Sequence, residues 1–282
     1  MTIAHPSQAS TIPLAPVPIS RPVLRWFGGK WRLGTWIISC MPSHTCFVDV
    51  FGGAASILLQ KPPSRLEYYN DIDRDLLNFF DVLRERPEEL IRAISLTPYH
   101  RGELIRALQP CEDPLERARR TYVVCWQNRN GQRSQHTNSW RYERTDTGPN
   151  ALRGWNDTGR LWDVVERLKQ VRFECDDWRC ILERYDTPET LFMCDPPYLP
   201  ESRSSRWART AYRHELTTDD HIDLAQRLRR VSGMVILCGY PSALYDDLYA
   251  GWSKRMRKSQ TDGAQKIECL WLNPQAAGEA KE

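Results

Sequence analysis

The chain has 282 residues, of which 41% are apolar and 27% charged, and its net charge is +3. This is enough apolar residue for the core of one large domain, or of a domain with one insert, and the longest apolar runs, such as Met234-Val235-Ile236-Leu237-Cys238, fall far short of the roughly 20 residues of a membrane span. The nine cysteines are odd in number with no C-x-x-C pair, and the six histidines form no H-x-x-x-H pair, so neither a disulfide framework nor a metal site is expected.

Residues 1–20 carry Pro6, Pro13, Pro16 and Pro18 and no acidic or basic side chain, and read as a flexible, extended tail. They lack a basic start followed by an apolar stretch, so no secretory signal is expected and the expected location is the cytoplasm. A Trp26-Phe27-Gly28-Gly29-Lys30 turn leads into an amphipathic helix over 31–40. Cys46 to Val50 reads as a buried strand that ends at Phe51-Gly52-Gly53, and 54–60 suits a helix. Leu66 to Tyr69 is a second strand, stopped by Asn70-Asp71, and 75–84 has helical apolar spacing. Residues 88–125 are mostly helical in pattern, whereas 127–160 are polar, rich in Arg, Asn, Gly and Trp, and poor in aliphatics. Val171 to Glu174 alternates like a strand, and Thr190 to Cys194 is an apolar strand that runs into Asp195-Pro196-Pro197. A helix over 219–230 precedes the most apolar strand, 233–238, and a late strand follows at 267–272.

Strands alternating with helices predict an α/β fold with a largely parallel sheet. The expected division is a catalytic domain at 21–87 and 166–275, an inserted helix-rich subdomain at 88–165, and a second flexible tail at 276–282. Residues 91–160 hold 12 Arg against 7 acidic residues. The insert is therefore the basic part of the chain, which fits a nucleic-acid face as well as a solvated one. Of the basic residues 32 are Arg and 7 Lys. Arginine suits bidentate contact with phosphates and guanine edges, although a GC-rich coding bias produces the same excess.

The chemistry concentrates at Asp195-Pro196-Pro197-Tyr198, placed at the carboxyl end of a strand, where open α/β sheets bind ligands. The prolines stiffen the backbone and leave carbonyls without neighbouring N–H donors. A carboxylate beside a fixed carbonyl can grip both hydrogens of an exocyclic amino group, and the tyrosine offers a flat face to a base. Gly52 and Gly53 let the backbone approach a ligand, as they would also serve an ordinary turn. Asp71 stands where a carboxylate can accept from ribose hydroxyls, though Asn-Asp is also a turn pair.

These segments resemble a family. Asp195-Pro196-Pro197-Tyr198 is similar to the catalytic motif of amino-group DNA methyltransferases. Trp26–Lys30, Phe47–Ser56 and Tyr69–Asp73 resemble, in order, the N-terminal motif, the cofactor loop and the segment after the second strand of the adenine-N6 branch, the Dam-like D12 class with the α-group motif order. The resemblance spans about 21–90 and 166–250.

It implies a Rossmann-like methyltransferase sheet with a helix-rich target-recognition insert, S-adenosyl-L-methionine as cofactor and double-stranded DNA as substrate, with no metal and no membrane. Asp195, Pro196, Pro197 and Tyr198 are then catalytic. Trp26, Lys30, Asp49, Phe51, Gly52, Gly53, Asp71, Asp177 and Trp178 bind the cofactor. Lys30 would meet its carboxylate and Asp177 its adenine, with Asp176 as a rival; Trp178 is equally consistent with plain core. The implied reaction is a direct in-line transfer to the N6 of a flipped-out adenine, whose amino hydrogens bond Asp195 and the Pro196 carbonyl.

Arg203, Arg206 and Arg209, with Arg213, form a basic loop suited to phosphates. Arg129, Arg133 and Arg141, with Trp140 and Arg144, are candidates for DNA contact in the insert, while the basic run Lys254–Lys258 reads as merely exposed. The Phe-Asn-Val-Pro segment of the Dam-like enzymes is missing from 127–160, so GATC is not the expected target. The alternatives are N4 of cytosine or RNA as substrate on the same fold, or a non-catalytic cofactor- or DNA-binding regulator.

Overall fold

The computed structural model describes residues 19–128, 140–142, 151–203, 212–261 and 264–279. Its centre is a seven-stranded sheet of order β3-β2-β1-β4-β5-β7-β6. The strands are β1 (Cys46–Asp49), β2 (Leu66–Asn70), β3 (Val171–Glu174), β4 (Thr190–Cys194), β5 (Met234–Gly239), β6 (Ser253–Thr261) and β7 (Ala264–Leu272). The first five run parallel, and β7 joins β5 antiparallel with β6 at its outer edge.

The central strands β1, β4 and β5 are buried at every position and mostly apolar because both faces of the sheet are covered. Leu191 and Met193 of β4 pack into one core, and Phe192 and Cys194 into the other. Ile236 and Cys238 of β5 alternate with Val235 and Leu237 in the same way. The first core is built with α1 (Gly34–Ser39), α2 (Arg74–Glu85), α3 (Pro87–Ser95), α4 (Arg101–Ala107), α5 (Pro114–Gln127), α6 (Ala151–Asn156) and α7 (Arg160–Leu168). The second is built with α8 (Trp178–Tyr185), α9 (Thr218–Leu228) and α10 (Ala243–Leu248). The result is a doubly wound, three-layer α/β fold.

Three expectations need correction. Residues 54–60 form hydrogen-bonded turns instead of a helix. Gly53 and Ala55 take φ of +50° and +53°, a left-handed conformation that no right-handed helix can contain. The carbonyls left over are met by side chains: Arg167 donates to Leu58 O and Gln60 to Ser56 O.

The insert expected at 88–165 has no core of its own among the described residues. Ala118, Tyr122, Trp126 and Trp155 share one apolar cluster with Phe47 of β1 and the buried face of α2. Trp126 Nε1 also donates to Val23 O at 3.1 Å, and α7 runs straight through the expected boundary at 165.

The basic run at 254–258 is largely exposed, as expected, with Lys254, Arg257 and Lys258 open to solvent. It is the edge strand β6, and its charged residues suit an unpaired edge. Finally, residues 276–279 are not a tail. They belong to a short helix, α11 (Pro274–Glu279), whose Ala276 is fully buried. Asn273 starts it by accepting from Val235 N and Ala276 N. Residues 1–18 and 280–282 lie outside the described residues.

Candidate active site

Parallel strands end on one side of the sheet, and strand register decides which side chains meet there. Asp49, the last residue of β1, is level with Tyr69 of β2 and Met193 of β4. Asp71 and Asp195 therefore each lie two residues beyond it on the neighbouring strands. After β3 the chain crosses back to the other side of β1, so the crevice between β1 and β4 is the topological switch point at which open sheets take ligands. A cavity of about 300 Å³ opens there, within the size range of small-molecule sites.

The turn after β1 is held from β2. Gly52 N donates to Asn70 O at 2.8 Å and Gly53 N to Asp71 Oδ2 at 2.8 Å. Tyr69 donates its hydroxyl to Gly53 O at 2.6 Å. A Cβ on Gly52 would lie 2.2 Å from the Tyr69 ring, so only glycine fits this close approach. Asp71 Oδ1 accepts from Asp73 N, and Asp73 caps α2. Asn70 ties three strand ends together, donating to Val50 O and Asp176 O and accepting from Asp176 N.

Asp177 caps α8 by accepting from Arg179 N. Next to it Trp178 packs near Phe51, with ring centroids 6.5 Å apart. Trp178 is at once a cavity wall and part of the second core.

The N-terminal turn closes another side. Lys30, buried, donates to Gly28 O at 2.7 Å and lies 2.9 Å from Asp195 Oδ1, with its Nζ 4.7 Å from the centre of the Tyr198 ring. Lys30 thus has two partners inside the protein, which leaves one of its three N–H groups for anything else.

Burial opposes the charge on Lys30, but the Asp195 and Glu268 carboxylates outweigh it and hold the amine above the usual lysine range. Burial raises Asp195, with Lys30 pulling it partly back. Burial followed by the charges of Asp195 and Asp71 pushes Asp49 up to about 8. Burial lifts Asp71 to about 6 against the pull of its two backbone hydrogen bonds. The cavity floor is thus a row of carboxylates facing one protected amine.

The structure brings all nine cofactor candidates, Trp26, Lys30, Asp49, Phe51, Gly52, Gly53, Asp71, Asp177 and Trp178, to the lining of this one cavity, together with the rival Asp176. Asp195 and Pro197 also line it, whereas Pro196 and Tyr198 are not among its lining residues. Tyr198 is buried behind Asp195. Its hydroxyl donates to Glu268 Oε2 at 2.9 Å, and its ring meets Tyr240 edge-on at 4.7 Å.

Arg203 departs from the expectation of a mobile, phosphate-facing side chain. It is buried, pairs with Glu215 at 2.7 Å and donates Nε to Tyr198 O at 2.7 Å. A guanidinium already paired with a carboxylate and a carbonyl next to the motif is a brace, not a phosphate hook. Arg206, Arg209, Arg129, Arg133 and Arg144 lie outside the described residues. Arg141 is half-buried, its N–H donating to Gln127 O and its carbonyl accepting from Tyr99.

Sequence reading missed the wall formed by Tyr212 to Leu216. Arg213 reaches across to Asp73 and Asp75, 3.0 Å each, and Glu215 accepts from Tyr212 N. No sequence pattern marks this segment, apart from its place just before the Thr217 capping box of α9. It missed Glu268 as well, a single acid inside a late apolar strand. Among the described residues no group of three or more His, Cys, Asp or Glu is arranged to hold a metal ion, and no helix is long and apolar enough to cross a membrane.

The sequence matches known proteins over this whole framework. It is 26% identical to a DNA adenine methylase of Salmonella typhi over 241 residues, covering 82% of this chain and 84% of that one. It is 25% identical to the DNA adenine methylase of Escherichia coli K12, over 73% of this chain and 75% of that one. The Vibrio cholerae DNA adenine methylase is 25% identical over 77% of this chain and 80% of its own. The profile described as D12 class N6 adenine-specific DNA methyltransferase matches residues 26–261. That range begins at the Trp26 wall of the cavity and ends with the edge strand β6, and the chain accordingly belongs to the D12 class of N6 adenine-specific DNA methyltransferases.

Proposed function

We propose that this DNA adenine-N6 methyltransferase takes its methyl group from S-adenosyl-L-methionine and acts on an adenine turned out of double-stranded DNA. The observation that carries the reading is the convergence of the nine cofactor candidates on one cavity with Asp195 in its wall. S-adenosyl-L-methionine supplies an activated methyl group on a sulfonium centre. The residues present fit such a group, because Asp49, Asp71 and Asp195 make the floor acidic, which favours a cation. Phe51 and Trp178 offer aromatic surface beside the carboxylates of Asp176 and Asp177, a combination suited to an adenine ring and its amino group.

Asp195 is the acceptor for the target amino group. Lys30 occupies its Oδ1, which leaves Oδ2 for an N6 hydrogen, and the Pro196 carbonyl is the second acceptor. Two acceptors hold the amino nitrogen in one orientation, and this positioning is the protein's main contribution to rate. The crevice lies beyond the carboxyl ends of β1 and β4, out of reach of a base stacked inside a duplex, so the base must leave the stack. Tyr198 is the motif's aromatic candidate for it, although its ring lies behind Asp195 outside the cavity lining, so the base meets it only once it has entered past Asp195. Arg206, Arg209, Arg129, Arg133 and Arg141 remain the candidates for phosphate and base contact, and site mapping identifies the target sequence.

The test is methylation of plasmid DNA by the purified protein with labelled S-adenosyl-L-methionine, followed by nucleoside analysis and mapping of the sites. N6-methyladenine is the expected product. N4-methylcytosine would overturn the role of the site toward adenine, and cofactor binding with no methylated base would overturn the catalytic reading. In the same assay Asp195→Ala is expected to lose methyl transfer by at least about a thousandfold while cofactor affinity stays within a few-fold; retained activity would remove Asp195 from its role.

A further inference from the structure

Glu268 is a carboxylate in an expensive place. It sits in β7, opposite Arg257 of β6 in the ladder, and is 6% exposed. A buried acid costs several kcal/mol unless it is well partnered, and an apolar pair at positions 198 and 268 would fill the same space without that cost. Its partner is Tyr198, 70 residues earlier in the chain, whose hydroxyl donates to Glu268 Oε2 at 2.9 Å.

The tyrosine is held from several directions. Tyr240 meets its ring edge-on, Lys30 lies against its face, and Arg203 takes its carbonyl. Glu268 accepts from the hydroxyl end, with Asp195 also close to that hydroxyl, and so sets how far the ring reaches, while Tyr240 and Lys30 against the ring limit how it is turned about its long axis.

Charge gives the position a second consequence. Lys30 alone would neutralise Asp195, and a neutralised Asp195 is a weak partner for an amino nitrogen that gains positive charge as it is methylated. Glu268 is the second carboxylate, after Asp195, whose charge acts on Lys30, and it weakens the hold of Lys30 on Asp195 where that positive charge develops.

We propose that Glu268 is a positioning residue for methyl transfer: by holding the Tyr198 hydroxyl it sets the reach of the tyrosine beside Asp195 and the target amine. The inference rests on the reading above, in which Asp195 and Tyr198 meet the target adenine.

Steady-state methylation of plasmid DNA, with S-adenosyl-L-methionine binding measured separately by calorimetry, tests it with the variants Glu268→Ala, Glu268→Gln, Tyr198→Phe and the double variant Tyr198→Phe/Glu268→Ala. Glu268→Ala is expected to lower kcat by at least about tenfold, with cofactor affinity and the KM for plasmid within about threefold. Glu268→Gln keeps an acceptor for the tyrosine and is expected to recover part of the loss. The double variant is expected to be no worse than the poorer single variant, because both remove one interaction.

A kcat for Glu268→Ala within twofold of the parent, a loss that appears in KM, or losses that multiply in the double variant would each overturn the proposal. So would activity that merely follows the folded fraction read by circular dichroism. Should Glu268→Ala fail to fold, Glu268→Gln and Tyr198→Phe carry the same test, with a lowered kcat in both supporting the proposal and a parental kcat in both overturning it. An inactive parent protein would overturn the functional reading itself, whereas an active parent with unaffected Glu268 variants overturns this inference alone.

Discussion

Asp49 ends β1 with its carboxylate buried between Asp71 and Asp195, and burial with these like charges pushes it up to about 8. The folded protein therefore holds a proton that the unfolded chain, with an ordinary aspartate, gives up near pH 4. Stability contributed by this group falls as pH rises from about 4 toward 8. A cation in the cavity favours the ionised form, so the affinity for S-adenosyl-L-methionine is expected to rise with pH across the window from Asp71, at about 6, to Asp49, at about 8. Asp49→Asn should remove the upper part of that rise, as seen by calorimetry in buffers of different ionisation heat; an unchanged profile would assign the proton elsewhere. Arg203 makes the opposite point about reading charge from sequence. In the chain it is one of several arginines after the motif, yet it is the one buried against Glu215 and Tyr198 O. Arg203→Ala is expected to cost about 3 kcal/mol of stability by leaving a carboxylate unpaired. It should leave the salt slope of DNA binding unchanged, whereas losing a true phosphate contact lowers that slope by about one. The glycines of the first turn were legible because backbone geometry demands them, whereas Asp195 and Lys30 were legible through the motifs that carry the family resemblance. Tyr212 and Glu268 were not, because their partners lie far along the chain.

At the scale of elements, strands were easier to find than the turns between them. The central strands β1, β4 and β5 announce themselves as short apolar runs since both faces of the sheet are covered, whereas the edge strand β3 shows only by alternation. The segment 54–60 has helical composition and is no helix, because Gly53 and Ala55 are held left-handed by a turn whose N–H groups are spoken for by β2. The start of α2 couples local and distant structure. Asp73 Oδ1 accepts from Asp75 N as the helix cap and also from Arg213, on the wall over the cavity. Asp73→Ala removes the cap and one of the two Arg213 contacts, the Asp75 contact remaining, and should cost about 1 kcal/mol of stability through the cap in addition to weakening cofactor binding. Arg213→Ala removes only the tether; since that pair is partly exposed, a loss of cofactor affinity of about three- to fivefold is expected with little change in melting temperature. Equal stability losses in the two variants would mean that the cap and the tether are not separable.

For the whole molecule, α5 and its neighbours were legible as helices but not as part of the main core. Tyr122 and Trp126 pack with the same cluster that lies under β1 and α2. Arg167, at the end of α7, joins Glu67 of β2 and Lys61 in a buried ion cluster, with Nη1 2.5 Å from Glu67 Oε2. Far-UV circular dichroism and tryptophan fluorescence should accordingly report one coincident unfolding transition. Two separated transitions would show that the helical segment folds as an independent unit. Glu67→Ala, which strands two buried cations, should lower the midpoint by about 3–5 kcal/mol. The alternation of apolar runs, the glycines after β1 and the Asp-Pro-Pro-Tyr motif were determined by the sequence alone, because each is a local demand of backbone geometry or strand burial. Which carboxylates share Lys30, which arginine is a brace, and whether the helices form a separate body were decided only by the tertiary structure, because these depend on strand register and crossover, which bring together residues as far apart in the chain as Lys30 and Glu268.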